Sequence, residues 1–172
     1  MNSQNTEMLR NFKSINIPRY ITSNIQSTAL GHLELKDMGQ LRDRLDGEAY
    51  YKKLYTSICM EFTFEKLIGI KTFDWEKRKP KSYKNGIYFS KNKKIKLINI
   101  SSTMRPKVNA LDFDGFVFIK TIPDSKCYIS GVCTIDLLKK FGEEDNNGVF
   151  YFDRFDLLKI PISQDELETI LN

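Results

Sequence analysis

The side chains able to do chemistry in this sequence are mostly carboxylates, and their spacing decides which chemistry is open to them. Glu61 sits in a run with helical spacing, Asp74 and Glu76 follow it, and Asp112 and Asp114 come later, two positions apart. Acids spaced by two share a face if their segment is extended. Carboxylate oxygens hold hard divalent cations such as Mg²⁺. Such an ion would lower the pKa of an attacking water and neutralise the charge that develops on a phosphoryl group. Glu61, Asp74 and Asp112 are the set that an acidic metal site would recruit, although a polar start to a strand accounts for Asp112 and Asp114 more simply.

Other chemistries lack their residues. His32 is the one histidine, which excludes any site needing two and leaves a Ser/His/Asp triad without support. The three cysteines, Cys59, Cys127 and Cys133, form no CxxC pair, so neither a zinc site nor a disulfide framework is indicated and reduced thiols are expected. There is no Gly-rich phosphate loop, HExxH or EF-hand pattern.

The basic residues are placed unevenly. Residues 71–96 carry ten Lys and Arg against two acids, and from Lys77 to Leu111 there are eleven basic residues and no carboxylate. Residues 97–172 carry eight basic and twelve acidic groups, so the cationic segment stands apart within a chain of net charge +5. A face of this kind suits a polyanion. Lys77, Arg78, Lys79, Lys81, Lys84, Lys93 and Lys94 are the expected nucleic-acid contacts, with DNA favoured and a protein partner as the other reading. Exposed aromatics would add stacking platforms for single strands. Phe116, Phe118, Phe150, Phe152 and Phe155 could serve in that way, but they read more simply as core.

At 172 residues with 41% hydrophobic and 28% charged content, the chain has the size and balance of one globular domain. No apolar run is long enough to span a membrane, and Met1–Phe12 is too polar for a signal peptide, so a cytoplasmic protein is expected. Residues 1–35 read as a loosely held arm with one short strand near Tyr20, and residues 36–172 as a single α/β domain. Within it, Leu41, Leu45, Tyr50, Leu54, Ile58 and Phe62 recur with helical spacing from about Gln40 to Gly69, with Gly47 as a point where the helix can split. The period then changes to two. Strands are expected over Gly86–Ser90 and Lys94–Ser101, then as a hairpin over Gly115–Thr121 and Cys127–Val132 around Pro123-Asp124-Ser125. Thr134 should cap a short helix ended by Gly142, Gly148–Asp153 reads as a strand, and Ser163-Gln164-Asp165-Glu166 opens a terminal helix.

That order of elements resembles the small single-domain members of the PD-(D/E)XK restriction-endonuclease-like superfamily. Met60–Ile70 resembles their Glu-bearing helix, Gly115–Val132 their hairpin, and Thr134–Phe141 the helix after it. The resemblance covers a little over half the chain. It implies an α+β fold with a mixed central β-sheet flanked by helices, and a lineage from phage, restriction or mobile-element enzymes. It also implies a metal-bearing Glu-x-Lys on the second strand, where this sequence has Asn99 and Ser101 instead, and an earlier Asp near 85–90, where none is present. An amide and a hydroxyl bring no negative charge to Mg²⁺. The expectation is therefore a nuclease-fold protein with a degenerate site at Glu61, Asn99 and Ser101, binding nucleic acid or a protein without a cofactor. An active Mg²⁺-dependent endonuclease with relocated acids and a structural or regulatory interaction domain are the alternatives.

Overall fold

A computed structural model describes residues 9–41, 47–100, 105–109, 112–122 and 126–172. The first strand, β1 (Lys13–Asn16), leads through Pro18 into helix α1 (Arg19–His32), and a single helical turn follows at Met38–Leu41. Helix α2 (Gly47–Leu67) is the longest element. After a basic loop come β2 (Ile87–Ser90), β3 (Lys93–Asn99) and β4 (Lys107–Asn109). The hairpin strands are β5 (Gly115–Ile122) and β6 (Lys126–Thr134), and helix α3 (Ile135–Phe141) continues from β6. The chain ends with β7 (Glu143–Glu144), β8 (Val149–Tyr151) and helix α4 (Gln164–Leu171).

Five strands form the main sheet in the order β1-β6-β5-β3-β2. β3 and β5 run parallel and the other neighbours antiparallel, so the sheet is mixed and the fold is α+β, as expected. β5 is the middle strand, with β3 beside it. Residues 115–119 of β5 are all buried because both faces of that strand are covered. Val117 and Ile119 join one core with Ile95 and Leu97 of β3 and the apolar residues of α1, α2 and α4. Phe116 and Phe118 enter a second core with Phe150, Phe152 and Phe155. A small sheet, β4-β8-β7, and α3 cover that side. All five phenylalanines are therefore packing residues, as the simpler reading held.

The start of the chain departs from expectation. Residues 13–32 are an integral strand and helix, not a loose arm, and Tyr20 lies in α1 rather than in a strand. Lys13–Asn16 pairs along β6, and Ile15, Ile17, Ile21, Ile25 and Ala29 belong to the main core. Ile21, Ile25 and Ala29 recur every four residues, so one stripe of an otherwise Ser-, Thr- and Asn-rich helix is apolar.

The caps behave as their residue types dictate. Thr134 Oγ1 accepts the Leu137 N–H at the start of α3, and Ser163 Oγ accepts the Glu166 N–H at the start of α4. Glu166 in turn accepts the Ile162 N–H at 2.8 Å, one residue before the partner a capping box uses. The expected turn at 123–125 lies outside the described residues.

Candidate functional site

Helix α2 presents Glu61 and Glu65 four residues apart, hence on one helical face, inside the apolar run from Ile58 to Leu67. Both carboxylates are buried, and two buried negative charges need a partner. Arg78 supplies it from the basic loop. Its Nε donates to Glu61 Oε2 at 2.9 Å, its Nη2 to Glu65 Oε1, and its Nη1 to the Asp74 carbonyl oxygen at 2.8 Å. The guanidinium lies 3.8 Å from the centre of the Phe73 ring, a cation–π contact that completes its surroundings.

Glu61 is further engaged through its other oxygen. Oε1 accepts the Tyr83 hydroxyl and, at 2.8 Å, the backbone N–H of Gly86. Gly86 has φ +67°, a left-handed conformation that glycine adopts without strain, and it starts the pairing of β2 with β3 by accepting the Leu97 N–H. Burial pushes the Glu61 carboxyl above its ordinary pKa, against the lowering pull of Tyr83, Arg78 and the Gly86 N–H. Burial, and then Glu61, hold the Tyr83 phenol far above the ordinary tyrosine value. His32 adds a brace: Nε2 lies 2.6 Å from the Arg78 carbonyl oxygen and so carries the ring proton, while buried Nδ1 has no partner.

These contacts bear on the expected catalytic positions. Glu61 spends both oxygens on Arg78, Tyr83 and Gly86. Asn99, exposed at the end of β3, accepts the Thr121 hydroxyl at 3.2 Å through its amide oxygen. Ser101 lies outside the described residues. A neutral amide and a carboxylate already closed by an arginine do not fit an Mg²⁺ ion. The relocated acids are not gathered either. Asp74 caps the short turn at Glu76–Arg78 by accepting the Lys77 N–H at 3.1 Å, and Asp112 is exposed at φ +67°. Among the described residues no three His, Cys, Asp or Glu side chains are grouped so that they could hold a metal ion.

The basic residues divide into three kinds. Arg78 is only 1% exposed, so its place among the expected nucleic-acid contacts is corrected: a guanidinium sealed between two glutamates cannot reach a phosphate. Lys79 pairs with Glu76, Lys81 with Glu34, and Lys93 lies 3.6 Å from Asp114. Lys77, Lys84 and Lys94 pair with no described carboxylate; Lys77 and Lys84 are exposed and Lys94 is half-buried.

Lys94 belongs to a face that β2 and β3 build together. Side chains alternate along β3, so Ile95 and Leu97 point into the main core and Lys94 and Lys96 to the other side. Across the β2–β3 ladder Phe89 stands opposite Lys94, and Ile87 opposite Lys96. Phe89 is 55% exposed. The ammonium groups of Lys94 and Lys96 lie 4.6 and 5.7 Å from the centre of the Phe113 ring, so two cations share one aromatic base. Lys96 is held below the ordinary lysine pKa by partial burial and by repulsion from Lys53 and Lys94, with Glu61 as a weaker counterweight. Asp114 borders the face, but its carboxylate accepts the Lys94 backbone N–H at 2.7 Å and faces Lys93. The result is a crowded positive patch with an exposed aromatic ring, on a sheet edge. Period-two alternation in Ile87–Ser90 sends Tyr88 into the core and Phe89 outward.

Among the described residues no helix is long and apolar enough to cross a membrane. Compared with known proteins, the chain matches no family model, no curated protein sequence and no solved structure.

Proposed function

We propose that this chain binds nucleic acid without cutting it, on a restriction-endonuclease-like scaffold whose metal positions have been given over to structure. The observation that carries the reading is the crowding of Lys94 and Lys96 on one ring, with no described carboxylate paired to the side chain of either. Like charges held together weaken a fold unless something relieves them, and a polyanion does so. Lys77 and Lys84 extend the unpaired positive charge into the loop before β2. The scaffold half of the proposal is supported by the order of α2, β2, β3, the β5–β6 hairpin and α3, and by Glu61 standing on the helix where the resemblance puts an acid. Such a protein would act in the cytoplasm, on host or phage nucleic acid.

The test pairs binding with cleavage. Purified protein is titrated against a fluorescent DNA duplex and its RNA counterpart at low salt, then incubated with plasmid and single-stranded DNA in Mg²⁺ or Mn²⁺. Binding with intact substrates is the expected result. Cleavage abolished by Asp74→Ala or Asp112→Ala would make the chain an endonuclease instead. Absence of binding to any nucleic acid would turn attention to protein docking, beginning with the acidic 143–145 loop.

A further inference from the structure

Phe89 and the two lysines beside it narrow the ligand class. Phe89 lies on the edge strand of the main sheet, with its ring 55% exposed on the same face as Lys94, its cross-strand partner. Lys96 follows two residues along β3 and shares the Phe113 ring with Lys94. The Cβ atoms of directly opposite residues stand about 5 Å apart and those of diagonal neighbours about 7 Å, so Phe89, Lys94 and Lys96 are rooted within the span of one or two nucleotides. Phosphates suit the lysines. What suits the exposed ring is a flat apolar partner, and in a polynucleotide that partner is the face of a base. A duplex hides those faces in its stack and offers phosphates and base edges only. A single strand can turn a base onto an aromatic platform while its backbone follows the cations.

We infer that the outer face of β2 and β3 is a binding site for single-stranded nucleic acid, with Phe89 stacking a base and Lys94 and Lys96 neutralising the flanking phosphates. The inference rests on the nucleic-acid reading above and deepens it by naming the strandedness. Stacking is indifferent to base identity, because every base has a π-face, so weak sequence preference goes with it.

The experiment measures anisotropy of a labelled oligothymidylate, an oligouridylate and a DNA duplex of equal length. Wild type should prefer the single strands, the first two probes distinguishing DNA from RNA. Phe89→Ala alters an exposed side chain, and its melting temperature checks that the fold is kept. This variant should lose roughly tenfold in affinity for the single strands while duplex binding is unchanged. Phe89→Trp should restore affinity and add a second tryptophan to Trp75, whose emission is quenched as the oligonucleotide binds. If Phe89→Ala binds single strands as well as wild type does, or loses equally on the duplex, the stacking site is overturned while the broader reading stands. If wild type binds none of the probes, both fall.

Discussion

Arg78 Nε donates to Glu61 Oε2 at 2.9 Å in surroundings that leave either side chain about 2% exposed, and this one contact ties the basic loop to the longest helix. The same guanidinium reaches Glu65 and the Asp74 carbonyl oxygen, so removing it strands two buried carboxylates. Breaking one side of a buried ion pair typically costs about 3–5 kcal/mol. Arg78→Ala should lower stability by about that much in urea unfolding, with the slope against denaturant unchanged. A loss comparable to an exposed Lys79→Ala change would mean that the network does not hold the loop.

Tyr83 sets a limit at alkaline pH. Its phenol is raised far above the ordinary value by burial and by Glu61, whereas in the unfolded chain it ionises near pH 10. For a group whose folded pKa is raised, stability is fully present below the unfolded pKa and is lost as pH rises beyond it. The melting temperature should therefore fall as pH passes about 10, and Tyr83→Phe should flatten that fall while lowering stability at neutral pH through the lost donor to Glu61. An alkaline profile identical in wild type and variant would contradict the buried hydrogen bond.

The cysteines should be chemically silent in the folded protein. All three are buried, and burial pushes the thiols of Cys127 and Cys133 up to about 11 and about 12. A thiol reagent at neutral pH should titrate none of the three until denaturant is added, since the thiolate is the reactive form. Rapid labelling of native protein would show that the core opens far more readily than its packing implies.

Legibility in the sequence followed how local each signal was. The β2, β3 and β5–β6 segments, the Thr134 cap and the Ser163 cap were all readable, because alternation and capping act over a few residues. β1 and α1 were not, because their apolar stripe of Ile15, Ile21, Ile25 and Ala29 is diluted by Ser, Thr and Asn. Arg78 was misread for a different reason. Counting charge treats every arginine as solvated, while its partners stand 17 and 13 residues away on a helix. The available signal was the pair Glu61 and Glu65 inside the apolar run of α2, which required a buried cation from elsewhere. Phe89 carries no local mark of its exposure, because a single phenylalanine in an alternating strand has the same pattern as Phe116 and Phe118, which are core.

Lys96 should show a trade between stability and binding. Partial burial and repulsion from Lys53 and Lys94 disfavour its charge. Lys96→Gln keeps most of the side-chain length and removes that repulsion, so the variant should melt no lower than wild type while binding nucleic acid more weakly. A variant that melts lower and binds as wild type does would make Lys96 a structural residue.

The most direct measurement is the salt dependence of nucleic-acid binding in wild type and in Lys94→Ala/Lys96→Ala. The slope of log K against log salt is about −0.9 for each phosphate neutralised on duplex DNA and about −0.7 on a single strand. Wild-type affinity should fall along a straight line between about 50 and 200 mM salt, and the double variant should bind more weakly with a slope flatter by about two. Identical slopes and affinities for the two proteins, or no wild-type binding even at the lowest salt, would contradict the assignment of this lysine face to nucleic acid.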